Sequence, residues 1–437
     1  MVRGCSSRSN SLRRETPLNL IKPINPKDKT IVLGVGLKSE PLSEIKENLL
    51  ELEDLVIAAG GDIVGSLIQI LPEWKPSTLI GAGKVLEVAE MVRDTGAQLV
   101  VIDHQISGVQ ARNLEKEIKV RVIDRNQLIL DIFAQRAQTF EGKLQVELAQ
   151  LLDQMPRMVD AWGGSLSRQG GGIGTRGPGE TALEGDRRRI RERISQIKKK
   201  LETVRKNRAQ HRQSRRRNDI PSFALIGYTN SGKSSLLNRL TGAQVLAENQ
   251  VFATLDPTTR KVFLPGGPPA VVTDTVGFIR KIPTQLIEAF KATLEESAEA
   301  DVLMFVIDLS SPNMVRQVEV VEALIQEFNW THKKIIYIFN KVDSAPLERQ
   351  FQVKQFPRIF VSALTGQGVE QLKKMMAEAI ADLHKDVALF FPKMDEYKIY
   401  ELDREAQVSR KEPGSSGTVI YTSLTSNLMA KWREYLV

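Results

Sequence analysis

"GYTNSGKS", residues 227–234, decides the fold. It fits the spacing G-x-x-x-x-G-K-[ST], follows the apolar run "FALIG" and leads into the amphipathic "SSLLNRL". A strand turning through glycines into a helix is what a phosphate loop requires. The turn aims backbone N–H groups at an anion on the helix N-terminus. Gly227 and Gly232 allow that turn, and Tyr228, Thr229, Asn230 and Ser231 form the loop between them. Lys233 is expected to reach the β- and γ-phosphates, and the Ser234 hydroxyl to bind Mg²⁺. Alone, the motif does not separate ATP from GTP.

Three further elements follow in order. "DTVG" (274–277) ends the apolar run "AVVTD". Asp274 is placed to hold the water shell of Mg²⁺, and the Gly277 N–H to sense the γ-phosphate; Thr275 and Val276 lie between them. "NKVD" (340–343) ends "KIIYIFN". The Asp343 carboxylate accepts from both N1–H and the 2-amino group of guanine. Adenine offers neither donor, so the carboxylate would go unpaired, which is costly. Asn340 serves the base and braces the phosphate loop, the Lys341 stem lies along the base, and Val342 separates Lys341 from Asp343. "SAL" (362–364) ends "RIFVSA": Ser362, Ala363 and Leu364, with the Ala363 N–H expected at the guanine O6. Four such elements at strand C-termini, where α/β folds bind ligands, predict a guanine-nucleotide site.

Between the first two elements lies "FATLDPTT", 252–259. A switch loop needs a threonine to complete Mg²⁺ coordination, and Thr254, Thr258 and Thr259 all qualify on the residues alone. Phe278 follows "DTVG" where many GTPases place a water-orienting glutamine. Phenylalanine neither donates nor accepts, so hydrolysis is expected to be slow alone and to depend on a docked partner.

Around this site the sequence reads as α/β throughout. The 437 residues suggest several domains. Residues 1–27 read as a basic disordered tail and 28–139 as an N-terminal α/β domain, with strands at 30–37, 62–71, 98–103 and 120–124 and helical stretches near 42–58, 84–95 and 107–118. "GAGK" (81–84) invites a second phosphate-loop reading, but Thr78 and Val85 occupy positions that need Gly and Ser/Thr, so it reads as a helix start. Leu144, Leu148, Leu151, Met155 and Met158 form a heptad-type seam matched by Ile190, Ile194, Ile197, Leu201 and Val204. Matched seams predict an antiparallel helical hairpin over 140–213, with Pro156 kinking or shortening its first arm. A linker is expected at 214–220, a GTPase (G) domain with a mostly parallel sheet and helices on both faces over 221–383, and a small α+β domain over 384–437 with strands at 397–402 and 418–424.

Charge adds a partner. Residues 187–217 carry fifteen Lys and Arg against Glu192 and Glu202, net +13, in a chain whose total is +8. One cationic strip on an otherwise acidic protein points to a polyanion. The single cysteine, Cys5, permits no intrachain disulfide, and no apolar run approaches a membrane span, so a cytosolic setting is expected.

"RQGGGIGTRGPGE" (168–180) contains a literal G-x-G-x-x-G. A dinucleotide fingerprint must follow a buried strand, and this one follows a helical arm, so NAD is rejected. Its glycines suit a backbone that approaches a surface closely. Gly170, Gly171, Gly172 and Gly174, with Arg168, Arg176, Arg187, Arg188 and Arg189 for phosphates, make it the hairpin's tip and a candidate nucleic-acid contact.

The order of parts resembles the HflX family of translation-factor-class GTPases: "DRNQLILDIFAQRAQTFEGKLQVELAQL" (124–151), "RQGGGIGTRGPGETALEGDRRRIRERI" (168–194), then "FATLDPTTR" and "DTVGFIRKIP". The resemblance covers roughly 30–383 and implies a cytosolic, bacterial-type GTPase that uses GTP and Mg²⁺ and binds the large ribosomal subunit and its rRNA. It implies the splitting of stalled or stressed ribosomes, in a monomer with no DNA partner. A GTP-dependent large-subunit binder that does not split ribosomes is the alternative. The resemblance also selects Thr254 as the Mg²⁺ ligand and brings Phe252, Ala253, Leu255 and Asp256 to the nucleotide site with it. The family carries a hydrophobic residue where Phe278 stands. This chain departs from the family pattern at Thr175, Ala182 and Gly185, in the loop and the start of the second arm.

Overall fold

The computed structural model describes residues 27–166, 178–217, 220–242, 251–252, 254–266, 269–280, 286, 297–382, 385–406, 408–424 and 426–437. Three sheets organise them. The first is wholly parallel, in the order β2-β1-β3-β4, with β1 at Lys29–Leu37, β2 at Asp62–Leu71, β3 at Leu99–Ile102 and β4 at Arg121–Asp124. Its helices are α1 (Leu42–Ala58), α2 (Ala82–Thr95), α3 (Gly108–Ile118) and α4 (Arg125–Arg136). Parallel strands need crossovers, and these amphipathic helices supply them while covering the apolar faces. "GAGK" falls at the start of α2, with Gly81 as its N-cap.

The hairpin is formed by α5 (Phe140–Leu166) and α6 (Pro178–Arg217). Glu147 pairs with Arg193 and Glu141 with Arg208, so residue number rises on one arm as it falls on the other: the arms are antiparallel. Leu144, Leu148, Leu151, Ile190 and Ile197 are buried along the seam, with Met155, Ile194 and Leu201 packed against it. Two expectations are corrected. Pro156 does not end its arm; α5 runs ten residues past it. The proline forgoes one helix hydrogen bond, but its neighbour Arg157 is pinned to Asp153 and Asp124 at 3.0 and 2.6 Å, which holds the next turn. The linker expected from 214 is helical as far as Arg217, because nothing in the polar, Arg-rich run stops a helix. The tip, 167–177, with Arg168, Gly170, Gly171, Gly172, Gly174 and Arg176, lies outside the described residues.

The second sheet has the order β10-β9-β8-β5-β7-β6. It comprises β5 (Ser222–Gly227), β6 (Thr258–Val262), β7 (Ala270–Asp274), β8 (Val302–Asp308), β9 (Lys334–Asn340) and β10 (Arg358–Phe360); only β6 runs antiparallel. The helices α7 (Lys233–Thr241), α8 (Met314–Glu327) and α9 (Val369–Ala381) pack on it. Strands β5, β7 and β8 are almost wholly buried, as central strands covered on both faces must be.

The third sheet, β11-β13-β12, is antiparallel: β11 (Lys385–Pro392), β12 (Val408–Pro413) and β13 (Gly417–Leu424). The strand expected at 397–402 is instead a 3-10 turn, Lys393–Lys398, followed by α10, Ile399–Glu405. Only Leu402 of that stretch is buried, whereas β11 alternates properly, with Leu389 and Phe391 turned inward. No described helix is long and apolar enough to cross a membrane.

Candidate nucleotide site

The loop between β5 and α7 is built as its glycines require. Gly232 sits at φ 90° and caps α7, and a side chain there would strike Asn340 Nδ2. Lys233 follows as the first residue of α7 and is buried, its Nζ donating to the carbonyls of Gly227 and Tyr228 at 3.2 and 2.7 Å. Burial pushes its ammonium down to about 8, against the pull of Asp274. Burial likewise raises the Asp274 carboxylate, opposed by Lys233, Ser234, Thr254 and the Thr275 N–H.

Three oxygens meet beside Lys233. Ser234 Oγ lies 2.7 Å from Thr254 Oγ1 and 2.6 Å from Asp274 Oδ2. The second Asp274 oxygen, Oδ1, is buried without a hydrogen-bond partner. Two hydroxyls and one carboxylate, with one of its oxygens orphaned, form an all-oxygen set, which suits a hard cation such as Mg²⁺. Of the three candidate threonines, Thr254 is the one brought here; Thr258 and Thr259 belong to β6, where Thr259 bonds Thr273.

The segment after β7 zips onto the phosphate loop. Thr229 N–H donates to Phe278 O at 2.8 Å, and Phe278 N–H to Gly227 O at 3.0 Å. Gly277 is thereby pressed close: a Cβ on it would stand 2.8 Å from Thr229 Cα and 2.9 Å from Lys233 Nζ. Phe278 itself is buried. Thr275 Oγ1 bonds back to Leu225 O, and Val276 is half-buried.

The residues expected at the guanine base lie together. A cavity of about 890 Å³ is lined by Gly232, Asn238, Arg239, Asn340, Lys341, Asp343, Ala363 and Leu364, among others. Asn340 Nδ2 donates to Ser231 O at 2.9 Å, so it does brace the phosphate loop. Hydrogen bonds from Ser362 and Ser344 hold the Asp343 carboxylate below its ordinary range, charged and ready to accept. Lys341 is anchored by Asp308 at 2.8 Å, and Val342 N–H donates to Val361 O. The Ala363 N–H, expected at the guanine O6, here donates to Asn340 Oδ1 at 3.0 Å, so it braces the Asn340 side chain. Leu364 is exposed at the rim, and Arg239 secures its carbonyl and that of Ala363. Arg239 and Asp308 carry no motif, and the reading of the sequence passed over both.

Three residues expected at the nucleotide turn their side chains elsewhere. Phe252 stacks edge-on against Phe133 of α4 at 4.5 Å, Leu255 is buried in the same core, and Asp256 bonds the start of α5. The reason is chemical: two apolar side chains gain more from a core than from phosphates, and an acid beside a triphosphate would be repelled. Asn230 is exposed in the loop, Ser231 is fully buried, and Ala253 lies outside the described residues.

A second contact ties the phosphate loop to the first sheet. Tyr228 Oη donates to Glu51 of α1 and accepts from Arg280 N–H at 3.0 Å. Burial, and then Glu51, raise its phenol well above the ordinary range, so it stays neutral. Arg280 and Arg316 pair with Glu44 and Glu47 one and two turns earlier on α1. Of the strip's first arginines, Arg188 and Arg189 are exposed and pair locally with Glu192 and Asp186; Arg187 is half-buried.

The chain is similar to known proteins along most of its length. Family models described as GTP-binding GTPase N-terminal, GTP-binding GTPase Middle Region and 50S ribosome-binding GTPase match residues 46–134, 136–215 and 222–341. The GTPase HflX of Caldanaerobacter subterraneus subsp. tengcongensis is 41% identical over 411 residues, 94% of this chain and 95% of that protein. The GTPase HflX of Escherichia coli is 46% identical over 340 residues, 77% and 79% of the two chains. Among solved structures, a complex of SsGBP with GDP superposes with a TM-score of 0.46 at 26% identity, covering 80% of this chain and 99% of that one.

Proposed function

The chain belongs to the HflX family of GTPases, and on that premise we propose that it is a Mg²⁺-dependent GTP hydrolase that binds the large ribosomal subunit and separates stalled or stressed ribosomes. One observation carries the chemistry: Thr254 and Asp274 both lie within 2.7 Å of Ser234 Oγ, next to Lys233, and Gly232, which caps the same helix, lines the cavity that holds Asp343. Ser234 and Thr254 would ligate Mg²⁺, with Asp274 holding its water shell. Held there, Mg²⁺ would supply positive charge against the charge that develops on the phosphates. Lys233 adds a fixed positive charge at the same phosphates, and the Gly277 N–H is the donor nearest a γ-phosphate. Asp343 selects guanine.

Phe278 supplies no water-orienting group, so turnover alone is slow and a docked partner completes the site. The partner reading draws on the description of the matched G-domain model and on the exposed Arg188 and Arg189 of the basic arm. In this reading Arg187, Arg188 and Arg189 and the Gly-rich tip contact rRNA. Binding of GTP orders the switch segments and favours the ribosome-bound state.

The test is sedimentation of intact ribosomes with the protein and a non-hydrolysable GTP analogue, alongside GTPase rates with and without subunits. Free subunits and a stimulated rate support the proposal. Co-migration on intact ribosomes assigns the non-splitting role instead, and an unstimulated, already high rate defeats the partner-dependent mechanism. Replacing 170–174 by alanines should leave GTP affinity nearly intact and weaken splitting. Loss of GTP binding with ribosome action retained would reverse that assignment.

A further inference from the structure

The segment that carries Thr254 is held by the hairpin as well as by the phosphate loop. Asp256, two residues on, accepts hydrogen bonds from the N–H groups of Gln138 and Thr139 at 3.0 and 2.9 Å, and from the Thr139 hydroxyl. Thr139 immediately precedes α5, and its Oγ1 accepts from Gly142 N–H at 2.9 Å, so it is the helix's own N-cap. The carboxylate therefore sits on the positive end of α5 with three donors, a charge-assisted arrangement favoured by the helix dipole. The backbone is shaped to admit it: a Cβ on Gly142 would stand 2.3 Å from Asp256 Oδ1. Phe252 on Phe133 and buried Leu255 fix the chain on either side of Thr254. Two residues of chain span at most about 7 Å, so where Asp256 is seated limits where Thr254 can point.

We propose that Asp256 is a positioning residue for GTP hydrolysis: seated on the N-terminus of α5, it sets Thr254 toward Ser234 and Asp274, and it makes the first turn of the hairpin arm part of the catalytic apparatus. Thr254 touches the reacting centre, and Asp256 acts through it. The same contact joins the switch to the arm that leads toward the RNA-contacting tip, so hairpin and switch move as one body. GDP has no γ-phosphate for the switch to meet, so GDP affinity does not depend on the contact.

The inference rests on the proposed role of Thr254 at Mg²⁺, and Thr254→Ala in the full-length protein separates the two. Asp256→Ala should lower ribosome-stimulated kcat about ten-fold, the scale expected for losing charge-assisted hydrogen bonds, and raise the Mg²⁺ concentration for half-maximal turnover. Its KM for GTP and its GDP affinity should change by less than about two-fold, a split expected when an interaction is made only near the transition state. Gly142→Ala, on the opposite wall, should do the same although it removes no hydrogen-bonding group. It also raises helix propensity, so thermal stability should not fall with activity. The double variant should be no worse than either single one. Without nucleotide, the amides of Gln138 and Thr139 should exchange hydrogen faster in both variants. If Thr254→Ala turns over normally, the metal-site reading fails and the inference with it. If Thr254→Ala is inactive while Asp256→Ala and Gly142→Ala keep wild-type kcat, Mg²⁺ requirement and exchange, the inference alone fails. Additive losses in the double variant also overturn it.

Discussion

Two parallel sheets stand in this chain, and their strands end differently. In the first, β3 and β4 run into Asp103 and Asp124, both buried. Each is neutralised from within. Arg125 bonds Asp103 at 2.9 Å and Glu51 at 2.7 Å, while Arg157 bonds Asp124 at 2.6 Å and Asp153 at 3.0 Å. Asp124 also accepts from Ile106 N–H and caps α4 through Gln127 N–H. In the second sheet, β5, β7 and β9 run into the phosphate loop, Asp274 and Asn340, and there the charges are not closed. Among the described residues Lys233 donates to the carbonyls of Gly227 and Tyr228 rather than to the Asp274 carboxylate, and burial pushes its ammonium down. The same architecture thus yields a scaffold where strand-end carboxylates are ion-paired with arginines, and a ligand site where the buried lysine and carboxylate are not bonded to each other.

The largest effect should come from the open edge. Lys233→Ala removes a cation buried beside Asp274 and should lower GTP turnover about 1,000-fold, on the scale of losing a preorganised charge at a reacting oxyanion. Steady-state GTPase assays would show it. A variant within ten-fold of wild type would mean that the edge is not the reaction site.

The closed edge should respond in stability. Arg125→Met strands Asp103 and Glu51 in a low-dielectric setting and should cost about 3–5 kcal/mol, read from urea unfolding. Asp103→Asn added to it should recover part of the loss, since the stranded charge causes it. If the single variant unfolds like wild type, the first sheet is not held by its internal charge balance. Asp343→Asn, back at the open edge, should weaken GTP by about 2–3 kcal/mol and improve xanthosine triphosphate, because an amide donates where the carboxylate accepted. Competition binding with both nucleotides measures it, and an unchanged preference would displace Asp343 from the base.

The contrast also explains what the sequence could reveal. The open edge was legible because each of its parts is a short contiguous motif at a strand end: Lys233, Asp274, Asn340 and Asp343 needed only local spacing. Thr254 was one of three threonines on the residues alone, because what selects it is a contact with Ser234 twenty residues earlier. Its motif places Asp256 at the nucleotide, and no spacing announces its hydrogen bond to Thr139, 117 residues away. The closed edge was invisible for the same reason: Glu51 and Arg125 are 74 residues apart, and no spacing announces them. At the C-terminal sheet, alternation in "YKIYEL" looked like a strand, but Tyr397 and Tyr400 are exposed and the buried alternation belongs to "VALFF".

The smallest effect tests the near-miss between the two edges. "GAGK" opens α2 as the phosphate loop opens α7, although Lys233 is the first residue of α7 and Lys84 only the third of α2. Its ammonium, however, pairs with Glu87 at 2.7 Å, one turn along its own helix. Gly81 N–H, which would face an anion, donates instead to Gln69 Oε1 at 3.1 Å. Lys84→Ala should therefore leave GTP affinity and turnover unchanged and cost no more than about 0.5 kcal/mol, as a partly exposed i,i+3 pair allows. Binding of labelled GTP analogue to this variant and to Lys233→Ala makes the comparison directly. A fall in nucleotide stoichiometry with Lys84→Ala would reveal a second site and dissolve the distinction between closed and open edges.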